Sequence, residues 1–133
     1  MNPMNKDGII QYLQQQLPGL MAVYAFGSRI SGTSTTNSDL DMAVLVPAQV
    51  DSLELWHMAN HLTELAHCHV DLLDFRAAST VMQNQILSTG VCWWALDHNV
   101  ASYEATVLNQ FTHLNEDRAQ LLKDIQQRGT VYG

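Results

Sequence analysis

The apolar run Leu20 to Phe26 ends in a Gly27-Ser28 turn, and ten residues later Asp39-Leu40-Asp41 opens a second apolar run, Met42 to Val46. This stretch predicts two buried strands with a loop of small polar residues between them. Strand side chains alternate, so Asp39 and Asp41 face the same way with Cα atoms roughly 6–7 Å apart. Two carboxylates that close repel each other unless a cation sits between them. Mg²⁺ is commonly held by one or two carboxylates plus substrate phosphates. On the other side of the loop, a glycine without Cβ lets the backbone approach a phosphate, and exposed N–H groups at a helix start attract anions. A phosphate cradle facing a metal-binding acid pair is the layout of phosphoryl or nucleotidyl transfer.

The rest of the chain reads as alternating helices and strands. Met4 to Leu17 carries Ile9, Tyr12, Leu13 and Leu17 at helical spacing and stops at Pro18-Gly19. Gly27 to Ile30 predicts a turn or short helix, Thr33 to Ser38 a polar loop, and Asp39 to Val46 the second strand. Asp51 to Ala66 predicts a helix with Leu55, Met58, Ala59, Leu62, Leu65 and Ala66 on one face. His69 to Phe75 alternates as a third strand, Thr80 to Leu87 is helical with Gly90 as its stop, and Val91 to Leu96 is a fourth strand. Asn99 to Gln127 predicts a long helix with Tyr103, Val107, Phe111, Leu114, Leu121, Leu122 and Ile125 on its apolar side. The fold class is α/β, a small mixed sheet backed by helices and closed by a C-terminal helix, in one domain over 1–133.

Gly-Ser, ten residues and Asp-x-Asp resemble the DNA polymerase β-like nucleotidyltransferases. The short length resembles their minimal (MNT) group, the antitoxin partners of HEPN-domain RNase toxins. The resemblance covers about Leu20 to Trp94. It implies the polymerase β-like fold, ATP as substrate and Mg²⁺ as cofactor, with two ions. It also implies transfer of AMP to a tyrosine of the HEPN toxin, which would be silenced by added bulk and negative charge beside its RNA site. The chain has no HEPN-like Arg-x4–6-His motif, so the toxin must be a separate polypeptide.

Two-metal transfer needs a third carboxylate on a neighbouring strand to help activate the attacking hydroxyl. His69-Val70-Asp71-Leu72-Leu73-Asp74-Phe75 offers Asp71 and Asp74, which face opposite sides of a regular strand. The family pattern sets this acid early in the strand after an apolar residue, which matches Asp71 and leaves Asp74 as a solvated terminus or cap. Asp39, Asp41 and Asp71 are thus the catalytic and metal-binding set. Gly27, Ser28, Arg29 and Ser38 form the nucleotide-binding set, with Ser28 donating to the outer phosphates and Ser38 ordering the loop. Arg29 reads equally well as a surface residue of the turn, and Arg76 as a solvated charge. His57 and His61 share a helix face, but with Glu54 and Glu64 nearby and no Cys-x-x-Cys pair they read as solvent-facing, as do His67 and His69. Trp93 and Trp94, adjacent on a strand, should point to opposite faces.

Composition narrows the partners. A formal charge of −7 with six scattered basic residues argues against direct nucleic-acid binding and fits a metal site or a basic protein partner. No apolar stretch is long enough to span a bilayer and the N-terminus lacks the order of a secretory signal, so the expectation is cytoplasmic, with Cys68 and Cys92 reduced. Two rival functions remain beside the enzyme: an antitoxin acting mainly by stoichiometric binding, and a small-molecule nucleotidyltransferase of the aminoglycoside-modifying kind. The complete acid set weighs against the first, and the lack of room for an added substrate region against the second.

Overall fold

The computed structural model describes residues 5–27 and 39–128, with side chains described as far as 123. In chain order the elements are α1 (Lys6–Gln16), β1 (Ala22–Phe26), β2 (Leu40–Leu45), α2 (Ser52–Ala66), β3 (Val70–Asp74), a 3₁₀ turn (Phe75–Ala77), α3 (Thr80–Thr89), β4 (Val91–Ala95) and α4 (Asn99–Arg128). The strands lie in the order β3-β2-β1-β4. β1 is antiparallel to both β2 and β4, and β2 is parallel to β3, so the sheet is mixed as expected.

β1 is buried at all five positions because it is a central strand covered on both faces. Alternate residues feed two apolar layers. Val23, Ala25, Leu40, Met42, Val44 and Val70 pack with Ile9 and Leu13 of α1 and with Met58, Leu62 and Ala66 of α2. Ala22, Tyr24, Phe26, Ala43 and Leu45 pack with Phe75, with Ile86 of α3, and with Val100 and Val107 of α4. The second layer holds a buried phenol: Tyr24 donates from its hydroxyl to Glu104 Oε1 at 3.2 Å, and burial drives its pKa far above the ordinary phenol range.

Local chemistry sets the ends of the elements. The Asn5 side chain accepts from the Gly8 N–H at 3.0 Å, and Ser79 from the Met82 N–H at 3.1 Å, as N-caps. α2 ends at His67 in the left-handed conformation, φ 60°, with its N–H bonded to the Thr63 carbonyl. Thr63 Oγ1 then accepts from Val70 N at 3.1 Å, tying the helix end to the start of β3. Phe75 leaves the strand it was expected to end, because Asp74 accepts from Arg76 N and caps the 3₁₀ turn.

Two expectations fail for reasons of register and surface. The β1–β4 pairing slips between Val23 and Tyr24, leaving Trp93 as the bulged residue. A bulge breaks strict alternation, so Trp93 and Trp94 both pack against the α1/α2 layer rather than pointing apart. The expected apolar side of α4 is covered only near its start. Val107 is buried, but Leu114, Leu121 and Leu122 are exposed, the last two at 59% and 61%.

Candidate active site

The parallel pairing of β2 with β3 sets Leu40 beside Val70 and Asp41 beside Asp71. One step earlier, the Leu40 N–H donates to the His69 carbonyl at 2.9 Å, which brings Asp39 alongside His69. Side chains alternate, so Asp39, Asp41, His69 and Asp71 all project on the α3/α4 face, at the end where β2 and β3 begin. His69 Nε2 lies 3.1 Å from Asp71 Oδ1. Among the described residues, Asp39, His69 and Asp71 form a group whose ligand atoms all lie within 4.8 Å of one another. All three are exposed, whereas Asp41 is half-buried.

Burial raises the Asp41 pKa above its usual value, and the neighbouring Asp71 and Asp39 carboxylates push it further, with His69 opposing them. This is the signature of acids crowded in one place, the condition that a divalent cation relieves. The donor chemistry fits such a cation, because carboxylates offer hard oxygens. Among the described residues, Asp39, His69 and Asp71 bring ligand atoms close enough to share an ion, with Asp41 half-buried beside them. A cavity of about 420 Å³ opens beside Asp71 and His69, with Ser52, Trp56 and Asn60 on its α2 wall.

Gly27 has φ +86°, and a Cβ there would run into the carboxylate of Asp41. Gly27 therefore suits both the left-handed turn and the close approach of the acid. Ser28, Arg29 and Ser38 lie outside the described residues, as do the turn and polar loop expected between Gly27 and Asp39. Asp74 stands apart from the acid cluster. It is 4% exposed and accepts from Val50 N and Arg76 N, both at 3.0 Å, which makes it a structural carboxylate. Arg76 is exposed as expected, with its guanidinium over the Tyr103 ring, 5.1 Å from the centroid. His61 stacks on Tyr12 and His57 sits edge-on to Trp56, both exposed as expected.

His69 is a residue of this cluster that sequence pattern alone does not single out. Its signal was there: it stands two residues before Asp71, as Asp39 stands two before Asp41. Only the parallel register brings the two pairs side by side.

The chain belongs to the polymerase beta nucleotidyltransferase family, whose pattern matches residues 7–99. Within it, the chain is similar to protein adenylyltransferase MntA of Shewanella oneidensis, 32% identical over 125 residues that make up 94% of this chain and 90% of that protein. A crystal structure of a toxin–antitoxin with AMP-PNP contains a chain that superposes with a TM-score of 0.81 at 32% identity, covering 92% of this chain and 99% of that one. A structure of tri-AMPylated Shewanella oneidensis HEPN toxin in complex with MNT antitoxin matches with a TM-score of 0.74 at 29% identity, covering 92% and 96%. Among the described residues, no helix is long and apolar enough to cross a membrane.

Proposed function

We propose that this chain is an antitoxin nucleotidyltransferase that moves AMP from ATP to a tyrosine hydroxyl of a cognate HEPN RNase toxin and so inactivates it. One observation carries the reading: Asp41 and Asp71 are paired across parallel strands with Asp39 beside them, in a chain 32% identical to a protein adenylyltransferase over nearly its whole length. The tyrosine oxygen attacks the α-phosphorus of ATP. A new P–O bond forms there, the bond to the bridging oxygen of the β-phosphate breaks, and pyrophosphate leaves. Asp71, exposed at the end of the sheet, takes up the hydroxyl proton. Gly27, Ser28, Arg29 and Ser38 cradle the outer phosphates. Asp39, Asp41 and Asp71 would hold Mg²⁺, as two ions, and the metal would supply charge neutralisation for the phosphates.

The whole of 1–133 acts as one minimal nucleotidyltransferase domain working in the cytoplasm. Its partner is an all-helical protein with an Arg-x4–6-His motif, assembled with it as a hetero-oligomer. Incubation with labelled ATP, Mg²⁺ and that partner tests the reading. Label on the partner's tyrosine, with release of pyrophosphate, is the expected result. A partner that stays unlabelled yet is fully inhibited in the complex overturns it.

A further inference from the structure

The acid array has one corner that is not an acid. In the parallel register of β2 and β3, Asp39 and Asp41 face His69 and Asp71, so the four side chains form a two-by-two grid with a single imidazole. Two ligands about 2.1 Å from an ion and at right angles to each other stand about 3.0 Å apart, and opposite ligands about 4.2 Å apart. His69 Nε2 and Asp71 Oδ1 are separated by 3.1 Å, and the donors of Asp39, His69 and Asp71 all fall within 4.8 Å. The spacing of His69 Nε2 and Asp71 Oδ1 would therefore suit two neighbouring ligands of one ion, and the Asp39 donor lies within the same span. The side chains of His69 and Asp71 are 60% and 58% exposed, so the described residues leave both of them room to adjust.

We propose that His69 is a nitrogen ligand of the divalent ion in this site, and that the site consequently prefers Mn²⁺ to Mg²⁺. The inference rests on the nucleotidyltransferase reading and deepens it. Carboxylates and water suit Mg²⁺ and Mn²⁺ alike, whereas an imidazole nitrogen favours transition ions over Mg²⁺. The alternative role for His69 is to hold Asp71 in place by the hydrogen bond already described. In that role its nitrogen never meets the metal.

The test uses the full chain with Mn²⁺ and no nucleotide, so that adenine contributes no nitrogen. Electron spin-echo envelope modulation reads a directly ligating nitrogen. The wild-type protein should show nitrogen coupling that disappears in His69→Gln and in His69→Asn. Calorimetry should show Mn²⁺ affinity reduced by about tenfold or more in these variants, as removal of a metal-site partner does, with Mg²⁺ affinity changed by less than about twofold. Both variants alter an exposed side chain, and their circular dichroism serves as the folding check. Mn²⁺ that fails to bind, or binds without nitrogen coupling, overturns the proposal. If binding without nitrogen coupling is still abolished by Asp39→Asn with Asp41→Asn, and AMP transfer proceeds with Mg²⁺, the nucleotidyltransferase reading stands while this proposal falls. If Mn²⁺ binding survives loss of both acids and no AMP is transferred, both fall together.

Discussion

The carboxylate of Asp41 occupies the space in which a side chain at residue 27 would begin. Gly27 and Asp41 lie at the joined ends of β1 and β2, where Phe26 pairs with Asp41. Gly27→Ala meets two obstacles, a positive φ and this collision, and should cost about 1–3 kcal/mol, as residues forced into sparsely populated conformations do. The two obstacles separate in a double-mutant cycle: Asp41→Ala should recover the part due to collision and leave the part due to φ. Urea unfolding of the four proteins reads both parts. Strictly additive effects would show that the contact is relieved elsewhere.

Asp41 also predicts a pH dependence. Its pKa is raised above the usual 3.8 by burial first and by Asp71 and Asp39 next, so the folded protein keeps a proton that the unfolded chain gives up. The stability linked to that proton is fully present below pH 3.8 and is lost as pH rises through the raised folded value. Asp41→Asn should therefore be more stable than wild type at neutral pH in the absence of divalent cations, and the gap should shrink as the solution is acidified. A gap independent of pH would mean that the substitution acts by packing alone.

Removing both acids of β2 should separate chemistry from folding. Asp39 is exposed and Asp41 half-buried, and neither belongs to an apolar layer, so Asp39→Asn with Asp41→Asn should fold. AMP transfer should fall by several orders of magnitude, because charge neutralisation at the phosphates goes with the metal. Labelling of the partner at near wild-type rate would remove both residues from the site.

The two acids of β3 should respond in opposite ways. Asp74→Asn weakens two part-buried hydrogen bonds from Val50 N and Arg76 N and should lower stability by about 1–3 kcal/mol. Transfer by its folded fraction should be unchanged. Asp71→Asn should leave stability nearly intact and retain nucleotide and toxin binding, yet lose transfer, the pattern of an interaction made chiefly in the transition state. In cells carrying the toxin, an enzymatic antitoxin with Asp71→Asn should fail to protect. Full protection by a folded, transfer-dead protein would instead favour stoichiometric neutralisation.

Where the sequence was informative, the reason was local. The apolar runs around Gly27 and Asp41 marked β1 and β2, because a strand covered on both faces needs no alternation. The spacing of Met58, Leu62 and Ala66 marked the buried face of α2, and Gly90 its place at the end of α3. Long-range relations were not legible. The neighbour of His69 depends on how β3 registers against β2, and the common side of Trp93 and Trp94 depends on a slip against β1. Leu121 and Leu122 kept helical spacing but are exposed among the described residues, since periodicity states which face is apolar and not what covers it.

α4 runs for 30 residues, yet among the described side chains its buried positions, Val100 and Val107, lie in its first turns. From Leu108 to Leu122 it continues for about 21 Å at 1.5 Å per residue, with those two residues and Leu114 and Leu121 all exposed. Isolated helices of about 12–15 residues are marginal in water. The outer part of α4 should therefore melt without disturbing the sheet, in an event separate from global unfolding. All three tryptophans lie elsewhere, Trp56 in α2 and Trp93 and Trp94 in β4, so their fluorescence is blind to that event while far-ultraviolet ellipticity records it. Heating curves from the two probes should part company, and a single melting temperature taken from ellipticity would average the fraying of a helix with the collapse of the body that carries the site.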